Sequence, residues 1–166
     1  KFSLFLRLKN EEEGILVIDK PEGWTSMDVC AKLRGMLHEK RVGHAGTLDP
    51  MATGVLPVFV GRATRAVEFA SESDKEYIAG LKLGVITNTQ DTTGEVLEER
   101  PVRVDHDQLW NALEKFQGDI LQVPPMYSAI KRNGKKLYEL ARKGQEVERA
   151  PRKVSIRALG VLDEDR

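Results

Sequence analysis

Asp49 is the residue whose neighbours best equip it for chemistry. It lies in Gly43-His44-Ala45-Gly46-Thr47-Leu48-Asp49-Pro50, continued by Met51-Ala52-Thr53-Gly54-Val55-Leu56-Pro57. Gly43 and Gly46 permit backbone angles and close approaches that a side chain forbids. Pro50 biases Asp49 away from the helical region. The string predicts a rigid loop over Gly43–Pro50 that presents one acid beside open backbone, with His44 five residues upstream. A carboxylate held in this way can attack an electrophilic carbon or stabilise positive charge developing on it. An Asp-Pro pair by itself only starts a turn, so the reading rests on the whole string. A glycosidase-like hydrolase is the weaker candidate, because that chemistry uses two carboxylates and no second one shares an evident motif with Asp49.

The surrounding pattern supplies elements to hold this loop. Ile15–Asp19 is a β-branched apolar run bounded by Gly14 and Pro21 and predicts a strand. Thr25 or Ser26 caps a helix, with Asp28 three residues after Thr25 in a capping-box arrangement. Its buried face carries Val29, Cys30, Leu33, Met36 and Leu37. After the loop, Val55–Val60 predicts a strand and Ala63–Ala70 a short helix. Tyr77–Leu83 predicts a strand, Thr87–Gly94 a polar loop and Val96–Arg100 another strand. Asp105 or Asp107 caps a helix carrying Leu109, Trp110, Leu113 and Phe116. Asn133-Gly134 signals a hairpin, Lys136–Lys143 a helix stopped by Gly144, and Arg152–Leu162 a closing strand. Hairpins and irregular alternation without βαβ repeats point to an α+β fold with a mixed, mostly antiparallel sheet and flanking helices.

The 166 residues, 40% of them hydrophobic, suffice for one core. No apolar run approaches the ~20 residues of a membrane span, and the charged start of the chain lacks a secretory pattern. One cysteine, Cys30, suits a reducing cytoplasm and falls at a core position. Net charge is zero, but its distribution is uneven. Between Tyr127 and Lys153, nine basic residues face three acidic ones, so this segment carries +6 and the remainder −6. Lys131, Arg132, Lys135 and Lys136 are its densest part. Such a segment is either a solvated charged surface or a footprint for phosphates.

The Asp49 string closely resembles the catalytic motif of the TruB-type pseudouridine synthases. Further motifs extend the resemblance over nearly the whole chain: Gly14–Pro21 with Gly23 and Ser26, Ser73-Asp74-Lys75-Glu76-Tyr77, and Pro124–Lys131 followed by Gly134–Tyr138. It implies the family's sheet with a cleft across its middle. It also implies isomerisation of uridine to pseudouridine at position 55 of the tRNA T-arm loop, without cofactor or metal. Asp49 would be the catalytic carboxylate and Tyr77 the residue packing on the flipped base. His44 would contact the everted nucleotides. Lys20, with Pro21, would support the active-site loop or touch the substrate. Tyr127 fits either a wall of the site or plain packing. The partner implied is tRNA, for a cytoplasmic monomer. A different class, a non-catalytic RNA-binding module, fits the same basic face.

Two departures qualify the resemblance. In the family a later strand ends near GTYIR and supplies an arginine that pairs with the aspartate, and an RNA-binding domain follows. Neither is matched before Arg166, so residues 14–166 read as a partial catalytic domain with weak or no turnover. Residues 1–13 precede the family's usual start. Phe2, Leu4, Leu6 and Leu8 alternate as in a strand, and resemble the family strand that would follow Arg166. Residues 2–9 are therefore expected either as a rearranged strand beside Arg152–Leu162 or as a natural extension.

Overall fold

Alternation along two strands builds the first half of the molecule. The computed structural model describes residues 13–126, 131–132, 135–141, 144–145 and 147–163. They divide into two units, Lys1–Ile78 and Ala79–Arg166. In the first, β1 (Gly14–Lys20) pairs antiparallel with β3 (Gly54–Val60), in register from Gly14 opposite Val60 to Lys20 opposite Gly54. Because successive side chains point to opposite faces, Ile18 and Lys20 share an inward face with Leu56, Val58 and Val60. Ile15, Val17 and Val55 lie outward and exposed. Helix α1 (Ser26–Leu37) covers the inner face with Val29, Cys30 and Leu33. Met36, expected in that stripe, is exposed instead, while Leu37 packs on the core. Thr25 is the N-cap, and it forms the reciprocal capping box with Asp28. Cys30 is fully buried, and burial pushes its thiol above the usual range, which suits a packing residue and not a nucleophile.

The segment after α1 is not all loop. Val42–His44 is a strand, β2, on the other side of β3, with His44 opposite Val58. Its end has a physical cause. Ala45 N–H donates to Pro57 C=O at 3.0 Å, but the reciprocal bond needs an N–H that proline lacks. The ladder stops there and the chain leaves the sheet. After β3, residues Gly61–Ala66 form a 3-10 turn that leads into α2 (Val67–Ser71), where a single short helix was expected.

The expected strand Tyr77–Leu83 is absent. These residues have no regular structure, and Tyr77, Ile78 and Leu81 are exposed with no ladder partner. A β-prone run without a neighbour to bond remains irregular. In the second unit the strands begin later, with β4 (Val85–Thr87) paired to β5 (Val96–Glu99). Gly84 enters this hairpin at φ +78°, and a Cβ there would lie 2.5 Å from the Arg100 carbonyl. Helix α3 (His106–Leu113) is capped by Asp105. Strand β6 (Gly118–Gln122), not foreseen, pairs with β9 (Arg152–Ile156). The expected closing strand is thus cut short at Ile156, where its partner begins at Gly118. Strands β7 (Lys131–Arg132) and β8 (Lys135–Lys136) pair antiparallel, Lys131 opposite Lys136 and Arg132 opposite Lys135. Helix α4 (Leu137–Ala141) ends as Gly144, at φ +67°, donates to Ala141 C=O, while Gln145 N–H donates to Leu140 C=O. This is the Schellman arrangement.

The fold is α+β, as the pattern implied. Every described strand pair is antiparallel, and the pairs form four small sheets in place of one mixed sheet. The proposed strand at residues 2–9, the Asn133-Gly134 turn and Tyr127 lie outside the described residues.

Candidate active site

Lys20 is the organising side chain of the loop. Strand parity sends it inward with Ile18, and it is fully buried. A buried ammonium must spend its donors. Its Nζ donates to the carbonyls of Pro21 at 3.0 Å, Trp24 at 2.5 Å and Pro50 at 3.4 Å. Those bonds fold the β1–α1 connection around the lysine and tie it to the residue after Asp49. The ammonium also contributes to holding the Asp28 carboxyl below its usual range, behind the larger effect of the Thr25 hydroxyl and amide.

The same connection grips the loop twice more. Gly23 N–H donates to Pro50 C=O at 2.7 Å. Ser26, buried at the first turn of α1, accepts from Leu48 N–H at 2.9 Å and donates to Leu48 C=O at 3.1 Å. Leu48 packs its side chain against the core. Asp49 is therefore bracketed: the residues on both sides of it are fixed through their backbones, while its own side chain stands exposed. A turn closes behind it as Ala52 N–H donates to Asp49 C=O at 3.0 Å. Among the described residues no cation lies within ion-pair distance of this carboxylate.

His44 ends β2, half-buried, and its Nδ1 lies 2.7 Å from Gly46 C=O. A carbonyl only accepts, so Nδ1 carries the proton and Nε2 is left as the ring's second polar atom. Gly46, at φ +76°, makes the bend that allows this bond. A methyl group at Gly46 would sit 3.7 Å from the Lys75 stem, which places the 73–77 segment beside the loop. Lys75 is anchored there by the carbonyls of Ser71 and Ser73. Tyr77 follows at 64% exposure, open to a ligand.

The structure thus joins Lys20 to the Asp49 loop and brings the segment leading to Tyr77 against it. Lys131, Arg132, Lys135 and Lys136 belong to the second unit, on the β7–β8 pair. The contribution of Ser26 was not assigned from sequence. Its signal was a serine directly after the cap, at the end of α1 nearest the loop. Among the described residues no group of three or more histidine, cysteine or acidic side chains could hold a metal ion, and no helix is long and apolar enough to cross a membrane.

Residues 34–166 match the TruB family of pseudouridylate synthases, N-terminal domain. The tRNA pseudouridine synthase B of Ralstonia nicotianae is 51% identical over 95% of this chain and 50% of its own length. That of Clostridium kluyveri is 52% identical over 91% and 52%. The chain spans about half the length of these relatives. The crystal structure of a Cbf5-Nop10-Gar1 complex aligns with 72% of this chain and 31% of that one, at 30% identity and a TM-score of 0.49. With a family match over most of its length and motifs set on a loop held from both sides, the chain belongs to the TruB pseudouridylate synthases.

Proposed function

We propose that this chain carries the aspartate-bearing part of an enzyme that isomerises uridine 55 in the T-arm loop of tRNA to pseudouridine. The observation that carries the reading is the bracketed Asp49: an exposed carboxylate whose neighbours on both sides are fixed to buried groups. The reaction breaks a C–N glycosidic bond, turns the uracil and forms a C–C bond at C5, from which a proton leaves. No oxidant or reductant is needed. What the reaction demands is a carboxylate held still beside the sugar, either attacking its carbon or stabilising the charge that develops there.

The target base must first leave the stack, at a cost of a few kcal/mol. Tyr77 offers an aromatic face that offsets this cost, and the Nε2 edge of His44 meets the everted nucleotides. Lys20 serves by holding the loop. The β7–β8 strand pair contributes phosphate contacts. Its register pairs Lys131 with Lys136 and Arg132 with Lys135, a two-rung ladder of basic residues that suits an RNA backbone. A tRNA substrate makes the cytoplasm the compartment of this work.

The test is release of tritium from a tRNA transcript labelled at C5 of uridine. Asp49→Asn should abolish release while transcript binding persists. Undiminished release by that variant would overturn the assignment. Binding without release by the unaltered chain would favour an RNA-binding role for these 166 residues.

A further inference from the structure

We infer that Ser26 is a positioning residue for Asp49, acting through the backbone of Leu48. This rests on the proposed role of Asp49. A hydroxyl is one donor and two acceptors, and Ser26 uses both functions on a single residue. Leu48 N–H donates to its Oγ at 2.9 Å, and its Oγ donates to Leu48 C=O at 3.1 Å. Fixing both polar groups of one residue removes the freedom of the peptide planes on either side of it. The plane on its C-terminal side is the one that leads into Asp49.

Ser26 is itself held rigidly. It is 2% exposed, and it occupies the first turn of a 12-residue helix anchored in the core by Val29, Cys30 and Leu33. The rigidity of α1 thus passes to the reactive loop through one hydroxyl. Lys20 and Gly23 act on Pro50, on the far side of Asp49. Without Ser26 the N-terminal side of the aspartate would be held only by the packing of the Leu48 side chain, with its backbone free to turn. A carboxylate displaced by about 1 Å loses on the order of 100-fold in rate, while RNA contacts made elsewhere persist.

The experiment compares Ser26→Ala with Asp28→Ala in the 166-residue chain. The second variant weakens the same helix end without touching Leu48. Two readouts are taken: hydrogen exchange at the Leu48 amide, and turnover of the C5-labelled tRNA transcript. Ser26→Ala should raise Leu48 exchange at least about 10-fold and lower kcat about 100-fold with KM unchanged. Asp28→Ala should leave Leu48 exchange and kcat near the unaltered values. Ser26→Ala matching Asp28→Ala in both readouts would overturn the inference, as would a loss confined to KM. If the unaltered chain binds the transcript without turning it over, an RNA-binding role is favoured for these residues, and Leu48 exchange still decides the clasp: equal exchange in the two variants rejects it.

Discussion

Lys20 shows how a buried side chain can decide whether a site exists. Its three carbonyl partners lie in the β1–α1 connection and in the Asp49 loop, so it joins two segments that are 30 residues apart in sequence. Lys20→Met keeps the apolar stem and deletes the charge. The carbonyls of Pro21 and Trp24 then lose the ammonium, and that of Pro50 keeps only the Gly23 N–H. Charge-assisted bonds of this kind make the loss large, about 3 kcal/mol. Urea denaturation should show that loss in the first unit. Exchange at the Gly23 amide should rise with it, because its bond to Pro50 depends on the same fold of the connection. A variant as stable as the parent would mean that the carbonyls find other donors.

At the scale of elements, most of the first unit was legible because its signals are local. Strand alternation, the Thr25–Asp28 box and the Gly-rich string each act within a few residues, and α1, β1 and β3 follow from them. The end of β2 was not read, although Pro57 carries the cause. Its effect is felt across a strand pair, at Ala45, and pairing is invisible until the register is known. The irregular Tyr77–Leu83 run and the unforeseen β6 fail for the same reason, since a strand is defined by a partner elsewhere in the chain. For the site, Asp49 and its loop were visible in the residues. The grip of Ser26 on Leu48 was not, because it spans 22 positions.

The β4–β5 connection supplies an element-scale prediction. The Asp91 carboxylate accepts from Thr89 Oγ1, Thr93 N–H and Thr93 Oγ1 at 2.6–2.8 Å, and Thr87 Oγ1 donates to its carbonyl. These bonds, the Thr93 hydroxyl first, hold its pKa below the ordinary 3.8. A depressed carboxylate stabilises the folded loop fully above its unfolded pKa and loses that contribution as pH falls through the folded value. Protection of the Thr93 amide should therefore be constant above about pH 4 and decline only on further acidification. Asp91→Ala should lack it at every pH. Protection unaffected by the substitution would show that the hairpin alone orders the loop.

Across the whole molecule, neutrality conceals a division of charge. The segment from Tyr127 to Lys153 carries +6 on a chain of zero net charge. Part of that charge is already engaged: Lys153 pairs with Asp119 at 2.7 Å, and Arg152 donates to Gln122. The basic residues of β7 and β8 are the candidates for phosphate, since the sequence concentrates four of them on one short ladder. Reversing Lys135 and Lys136 to Glu should weaken tRNA binding and flatten the dependence of log K on log salt by about 2. The ladder itself should survive, because the same change sets one carboxylate opposite Lys131 and another opposite Arg132. An unchanged slope would mean that these lysines are only solvated surface.

The hold on the Asp49 loop is exerted on main-chain atoms, and that divides the unit into positions that can drift and positions that cannot. Lys20 and Ser26 bond to carbonyls and an amide that every residue type except proline carries in full. The gripped residues can therefore change their side chains without loosening the grip, as long as position 48 still fills the core and position 49 still carries its acid. Met51, beyond the clasp and partly exposed, is under no such constraint. The gripping residues have no such latitude. A lineage can thus retune the rim of this loop by ordinary substitution while the aspartate stays where it is.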